Sequence, residues 1–450
     1  MNVVVIVCDT LRRDHLGAYG NGWIHTPHLD RFAAESVVFD GHHAGSFPTM
    51  PARADLMTGR LSCAFMTWEP LPRDLPTVAE AFTAAGYLTT ALVDTPFYVR
   101  NGFGYDRGFH DFVWIRGQGD SSRLEERADA RATWVGEGDR YAARTMSAAG
   151  EWLERHLDEQ FFLVVDTWDP HEPWNPPAYY TRRYLADYAG EEVQPPYAKW
   201  REAGLSERDL EVAHATYCGE VTMVDRWVGS LLEKIELVGI ADRTTVVVTS
   251  DHGFYFGEHG YLGKSVWVEE ARTQTWSPLY GELTRLPLLM RVPGVPAARR
   301  SALTSTPDLA PTLLDLAGLD SPAGATAPSF AAVLRGDAPD AHRPFVISSW
   351  PLGYQKGRIS IAVDSSPRTV SRDLPLTITT STQSAVVGGP DDPVELYDLV
   401  NDPAESENMA AAAPERVAEL LGDAIEVLRA EGASPELLAP REGALARLTP

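Results

Sequence analysis

Residues 3–8 read VVVIVC, apolar throughout and mostly β-branched, and similar runs return at 88–94 (LTTALVD), 161–166 (FFLVVD) and 244–250 (TTVVVTS). A strand without a polar face has to be covered on both sides, as central strands of parallel sheets are. Stretches of helical period separate the runs: TVAEAFTAAGY, with Thr77 as cap and Gly86 as stop, then residues 140–157, then a long pattern from 207 to 237. Residues 286–293 are expected to add a strand and 307–318 a helix. The alternation restricts the chain to an α/β fold, a mostly parallel central sheet sandwiched by helices.

The texture changes near residue 335. Short extended segments are expected near 344–349, 359–363, 375–380 and 394–398, separated by Pro, Gly and Ser turns. Val417, Leu420, Leu421, Ala424 and Leu428 then share one face of an amphipathic helix. The reading is an α/β catalytic domain with a metal site over 1–335 and a smaller α+β subdomain over 336–450, a small antiparallel sheet plus a helix.

Composition narrows the partners. A net charge of −24 argues against nucleic acid, whose phosphates call for a basic face. Three scattered cysteines make no disulfide framework and have no zinc-finger spacing. No apolar run approaches the ~18 residues of a membrane span, and the N-terminus has no basic region before its apolar run. The expectation is a cytoplasmic protein with a small-molecule substrate, free of membrane contact; a homo-oligomer is admissible.

In open α/β sheets ligands bind beyond the carboxyl ends of the strands. The expected strands end in Asp9-Thr10, Asp94-Thr95, Asp166 with Asp169 and His171 close behind, and Ser250-Asp251-His252-Gly253. One such aspartate would be an ordinary turn or cap residue. Four in succession, two with histidines, point to one site. Asp9, Asp251 and His252 offer two carboxylates and an imidazole, a reasonable set for one divalent cation.

The segment TMPARADLMTGR, residues 49–60, reads as a helix with Pro51 in its first turn and Gly59 at its end. Thr49 falls at or beside the N-cap, where free N–H groups and the positive dipole end favour an anionic oxygen. As a cap it is unremarkable. Beside a metal, its hydroxyl is a nucleophile that needs no separate base. Arg53, one turn on, can hold an anionic oxygen.

NVVVIVCDTLRRDHLGAYG, TPHLDRFAAESVVF, TMPARADLMTGR, DPHEPW, SDHGFYFGEHGYLGK and ELYDLVNDPAESENMA, in this order from residue 2 to about 410, resemble the sulfatase family of the alkaline phosphatase superfamily. The resemblance implies an alkaline phosphatase-like fold and one metal bound by Asp9, Asp251, His252 and the nucleophile, Thr49. It further implies Arg53 fixing that nucleophile, Lys264 on substrate oxygens, and His171 binding substrate or protonating the leaving group. The role of His259, in GEHG, is left open. GYLGKS lacks the leading glycine of a phosphate-binding P-loop, since Glu258 stands there.

The departures bear on the chemistry. Sulfatases carry Cys or Ser where Thr49 stands and oxidise it to formylglycine; a secondary alcohol cannot give that aldehyde. Cys63 cannot stand in, because no Pro and Arg follow it at the required spacing. Thr10 replaces the family's second aspartate. Asp94 and Thr95 begin the stretch that replaces a Lys-Trp-His group, and join His171 and Lys264 as the substrate-binding set. A formylglycine hydrate sheds sulfate by collapsing to its aldehyde, whereas a plain alkoxide is freed only by water attacking the central atom, which phosphorus accepts more readily than sulfur. The expected activity is therefore hydrolysis of phosphoesters or phosphonates by a metal-dependent enzyme with Thr49 as nucleophile. Sulfate ester hydrolysis without formylglycine, group transfer to an alcohol or amine, and a non-catalytic binding protein are the alternatives. One metal is expected, calcium or manganese, with zinc admissible; His342 lies outside any motif that would build a second site. Residues 114–123 and 265–285 are expected to wall the pocket.

Overall fold

Strand β1 (Asn2–Cys8) is buried along its whole length in the middle of the sheet. The computed structural model describes residues 1–94, 103–115, 133–268, 273–322, 324–350, 375–388 and 393–449. Among these, the main sheet holds β1, β2 (Val37–His43), β3 (Leu88–Val93), β4 (Asp111–Trp114), β5 (Phe161–Thr167), β6 (Thr244–Thr249), β7 (Leu288–Arg291) and β8 (Ala298–Ser305). Their order is β8-β2-β7-β6-β1-β5-β3-β4. Neighbours run parallel except around β7, which is antiparallel to both β2 and β6.

The continuous apolar run of β1 is divided by the pleat, since alternate side chains point to opposite faces. Val4, Ile6 and Cys8 pack into a layer with α1 (Pro27–Ala34), α4 (Tyr141–Arg155) and α5 (Glu207–Leu237). Val3, Val5 and Val7 enter the opposite layer, with α2 (Thr49–Thr58), α3 (Val78–Ala84) and α6 (Leu309–Leu316). Thr77 caps α3 in a reciprocal box with Glu80, and Ser206 does the same for α5 with Asp209. Every residue of α2 is buried, so this helix runs through the protein and not along its surface.

Beyond residue 335, β9 (Val346–Ser349), β10 (Leu376–Thr379), β11 (Gln383–Val387) and β12 (Glu395–Asp398) form an antiparallel sheet in that order. Helix α7 (Pro414–Ala430) covers it with the expected Val417, Leu420, Leu421, Ala424 and Leu428. The small sheet is stitched to the main domain just before α2: Phe47 N–H donates to the Ser349 carbonyl (2.9 Å) and Ser349 N–H to that of Gly45 (3.0 Å).

Several elements differ from expectation. β2 (VVFDGHH) and β8 (ARRSALTS) carry too many polar residues to read as strands, yet pair over most of their length. A second C-terminal helix, α8 (Pro435–Leu448), is capped by Ser434 and tolerates Pro440 within it. The segment expected near 359–363 lies outside the described residues, as do 116–123 and 269–272 of the expected pocket walls. Among the described residues no helix is long and apolar enough to cross a membrane.

Candidate active site

The carboxyl ends of β1, β5 and β6 bring Asp9, Asp166 and Asp251 together, and the first turn of α2 delivers Thr49 and Arg53 between them. Asp9, Thr49, Arg53, Asp166, Asp251 and His252 are all at most 2% exposed. Ligand atoms of Asp9, Asp251 and His252 lie within 4.8 Å of one another. His252 Nε2 is 3.5 Å from Asp251 Oδ2 and 3.8 Å from Asp9 Oδ1. Thr49 Oγ1 approaches the same nitrogen at 3.4 Å. Thr49 is the first residue of α2; Pro48 precedes it with no side-chain cap bond.

Burial and mutual repulsion set the charges. Asp9 is pushed well above the usual carboxylate range by burial and by neighbouring Asp251, while Asp251, buried as it is, is kept below that range by Arg53 and His252. Burial takes the His252 imidazole down to about 3, so the ring is neutral near pH 7. Its Nδ1 donates to the Gly253 carbonyl at 3.0 Å, which leaves the Nε2 lone pair facing the carboxylates. A neutral imidazole nitrogen, two close carboxylates and a hydroxyl fit one divalent cation.

Arg53 is committed to carboxylates. Its Nε and Nη2 bind Asp166 in a fork at 3.0 and 2.8 Å, Nη1 binds Asp251, and Nη2 lies 3.1 Å from Asp9 Oδ2. Nη1 reaches Thr49 through its carbonyl oxygen, at 3.2 Å. Thr10, where the family has an acid, orients the two carboxylates: its hydroxyl donates to Asp9 Oδ1 (2.7 Å) and its N–H to Asp251 Oδ1 (3.0 Å). It does so at φ 64°, a left-handed conformation rare for a β-branched residue. Sequence reading placed Asp166 at a strand end without a role and saw Thr10 only as a substitution; nothing local to either shows the partner across the sheet.

Lys264 and His171 close the other side. Lys264 Nζ lies 2.6 Å from His171 Nε2 and 3.5 Å from His252 Nε2. His171 Nδ1 faces the Glu172 carbonyl at 2.7 Å and its carboxylate at 3.0 Å, and the ring stacks on Trp168 at 3.8 Å. Burial brings the His171 pKa down to about 4, Lys264 adding to it against the pull of Glu172. Near neutrality the ring is therefore uncharged and its Nε2 accepts from Lys264.

Other residues fall outside this cluster. Asp94 is fully buried and its oxygens accept hydrogen bonds from Thr145 Oγ1 (2.6 Å), Thr167 Oγ1 (3.1 Å) and the Trp168 N–H. It thereby bolts the ends of β3 and β5 under the loop that carries His171. Thr95 lies outside the described residues. His259 pairs with Glu282 at 3.4 Å and stacks on Tyr280. His342 pairs with Asp308. Phe47, unread from the sequence, packs between His252 and Trp350, at centroid distances of 4.9 and 4.5 Å.

Known proteins share this architecture. The uncharacterized sulfatase YidJ of Escherichia coli is 26% identical over 353 residues, 71% of this chain and 68% of its own length. The multifunctional alkaline phosphatase superfamily protein PehA of Trinickia caryophylli is 26% identical over 398 residues, 71% of this chain and 74% of its own. The crystal structure of the phosphonate monoester hydrolase of Agrobacterium radiobacter superposes with a TM-score of 0.73 at 23% identity, over 96% of this chain and 95% of that one. Because residues 1–319 match the family model described as Sulfatase, the chain belongs to the sulfatase family of the alkaline phosphatase superfamily, as a hydrolase of sulfuric or phosphoric esters.

Proposed function

We propose that the protein hydrolyses phosphate or phosphonate esters through a covalent phospho-threonine at Thr49. The observation that carries the reading is the Thr49 hydroxyl 3.4 Å from His252 Nε2, beside two buried carboxylates, on a side chain that cannot become formylglycine. A divalent ion held by Asp9, Asp251, His252 and Thr49, with calcium and manganese the first to try and zinc after them, would supply Lewis acidity and lower the hydroxyl pKa.

The chain's own residues do the rest. Arg53 holds Asp9, Asp166 and Asp251 in place and braces the Thr49 carbonyl. Thr49, its hydroxyl proton given up to water, attacks phosphorus through Oγ1 as the bond to the leaving oxygen breaks. That oxygen takes its proton from the Lys264–His171 pair, in which Lys264 is the donor at rest. Lys264 also offers positive charge to the equatorial oxygens. Water then attacks phosphorus and returns a proton to the Lys264–His171 pair, the bond from phosphorus to Thr49 Oγ1 breaks, and the threonine regains its proton from solvent. The similarity to a phosphonate monoester hydrolase supports a phosphorus ester as substrate.

The test is a panel of phosphate monoesters, diesters, phosphonates and sulfates assayed with calcium, manganese and zinc. A phosphorus ester is expected to turn over fastest, and Thr49→Ala to lose at least about a thousandfold in kcat. Mass spectrometry of the Thr49 peptide during turnover is expected to show one added phosphate. Exclusive sulfate turnover, or activity retained in Thr49→Ala, defeats the reading; phosphoryl transfer to an added alcohol in preference to water would make the enzyme a transferase.

A further inference from the structure

His15 sits in the turn after β1, and His214 and Cys218 sit four residues apart on one face of α5, away from Thr49. The ligand atoms of these three side chains lie within 4.8 Å of one another. His15 Nε2 is 2.9 Å from His214 Nε2, and Cys218 Sγ is 3.5 Å from that same nitrogen. Hydrogen bonding accounts for the contact between the two imidazoles but not for the thiol's approach to His214. Asp14, bound by Arg12 at 2.9 Å, is a carboxylate that only accepts, so the His15 Nδ1 facing it at 2.9 Å carries the proton. The neutral His15 ring then offers a lone pair at Nε2, and His214 must donate to it. With its Nε2 a donor, His214 cannot also accept from the Cys218 thiol.

We propose that His15, His214 and Cys218 form a zinc site separate from the hydrolytic centre. A cation between the three takes a lone pair from each, the His214 proton moving from Nε2 to Nδ1. Zinc–sulfur and zinc–nitrogen bond lengths place the two atoms about 3.5 Å apart in a tetrahedral site, the spacing of Cys218 and His214 here. The two imidazole nitrogens need to part by only a few tenths of an ångström. Asp14 on His15 Nδ1 supplies the outer carboxylate that orients a zinc-bound imidazole. Binding releases the Cys218 proton to solvent, and water takes the fourth position. Trp23, 55% exposed, stands against both imidazoles at centroid distances of 5.6 Å and walls the site from solvent. The site ties the turn that follows Asp9 to the longest helix.

Cobalt(II) titration of metal-free protein tests this, because a thiolate ligand gives a near-ultraviolet charge-transfer band that the sulfur-free Asp9, Asp251 and His252 set cannot. The band is expected in the wild type and in Asp251→Asn, and is expected to vanish in Cys218→Ser. Zinc stoichiometry is expected to fall by one ion per chain in His214→Gln, a partly exposed position, with the far-ultraviolet circular dichroism unchanged. A wild type without the band, a band surviving Cys218→Ser, or unchanged stoichiometry in His214→Gln overturns the proposal. Loss of phosphoesterase activity has no bearing on it, so its failure and that of the hydrolase reading are read separately.

Discussion

At the scale of single residues, the site works by dividing labour between donors with different charge states. His171 is neutral near pH 7, since burial brings it to about 4, and in the proposed mechanism it acts on the leaving group only as the partner of Lys264. His171→Ala is expected to cost about 10²–10⁴ in kcat for alkyl esters and less than tenfold for nitrophenyl esters, whose leaving groups need no proton. Equal losses on both, measured side by side, would remove His171 from proton transfer. Residue by residue, the sequence displayed the ligand types, because Asp9, Asp251 and His252 follow apolar runs that announce their own ends. It did not display that Arg53 spends its guanidinium on three carboxylates, since two of those lie on strands read far apart.

At the scale of elements, helix α2 sets the position of Thr49, and its rigidity has an identifiable source. Asp55 accepts from Ser46 N–H (2.7 Å), Ser46 Oγ (2.8 Å) and Ser62 N–H (2.7 Å), tying the helix to the chain on both sides of it. Gly59 ends the helix at φ 67° and donates to the Asp55 carbonyl. Burial pushes the Asp55 carboxyl up to about 7 even so. Asp55→Ala leaves two buried N–H groups without partners, and is expected to cost about 3–5 kcal/mol in urea unfolding and to lower kcat as Thr49 loses its footing. Wild-type stability in that variant would show that the helix is held by packing alone. The helix and its stop were legible in TMPARADLMTG; its burial on every side was not, because its residue pattern has no single apolar face.

At the scale of the whole molecule, the C-terminal layer completes the core of the main domain. Phe47, Tyr255, Leu279, Leu283, Trp350 and Tyr397 form one apolar cluster drawn from both sides of residue 335, and Trp350 is fully buried. Trp350→Ala is expected to cost about 3–5 kcal/mol and to slow turnover through Phe47, which packs on His252. A chain ended at 335 is expected to lose its cooperative thermal transition; a sharp melt in that fragment would make 1–335 self-sufficient. Acid sensitivity belongs to this scale too. Burial lowers His42, on β2, from 6.5 to about 4, so the unfolded chain takes up its proton first as the pH falls. Stability is intact above pH 6.5 and declines towards pH 4, by about 2 kcal/mol for this group by pH 5. His42→Gln is expected to shrink the loss between pH 7 and pH 5 in denaturant titrations; an unchanged loss would assign it to other groups.

The amino-acid order by itself determined the class of fold, because continuous apolar runs between helical stretches are local properties that leave few ways to cover a sheet. It displayed the candidate ligands Asp9, Asp251 and His252 for the same reason, each standing just past the end of its strand. Only the tertiary structure decided what those ligands do together. The antiparallel turn of β7, the pairing of the polar strands β2 and β8, the grip of Arg53 on Asp166, and the joining of His15 to His214 and Cys218 all depend on segments far apart in the chain. Such contacts are set by where the folded layers bring the chain, and no residue's neighbours in sequence record them.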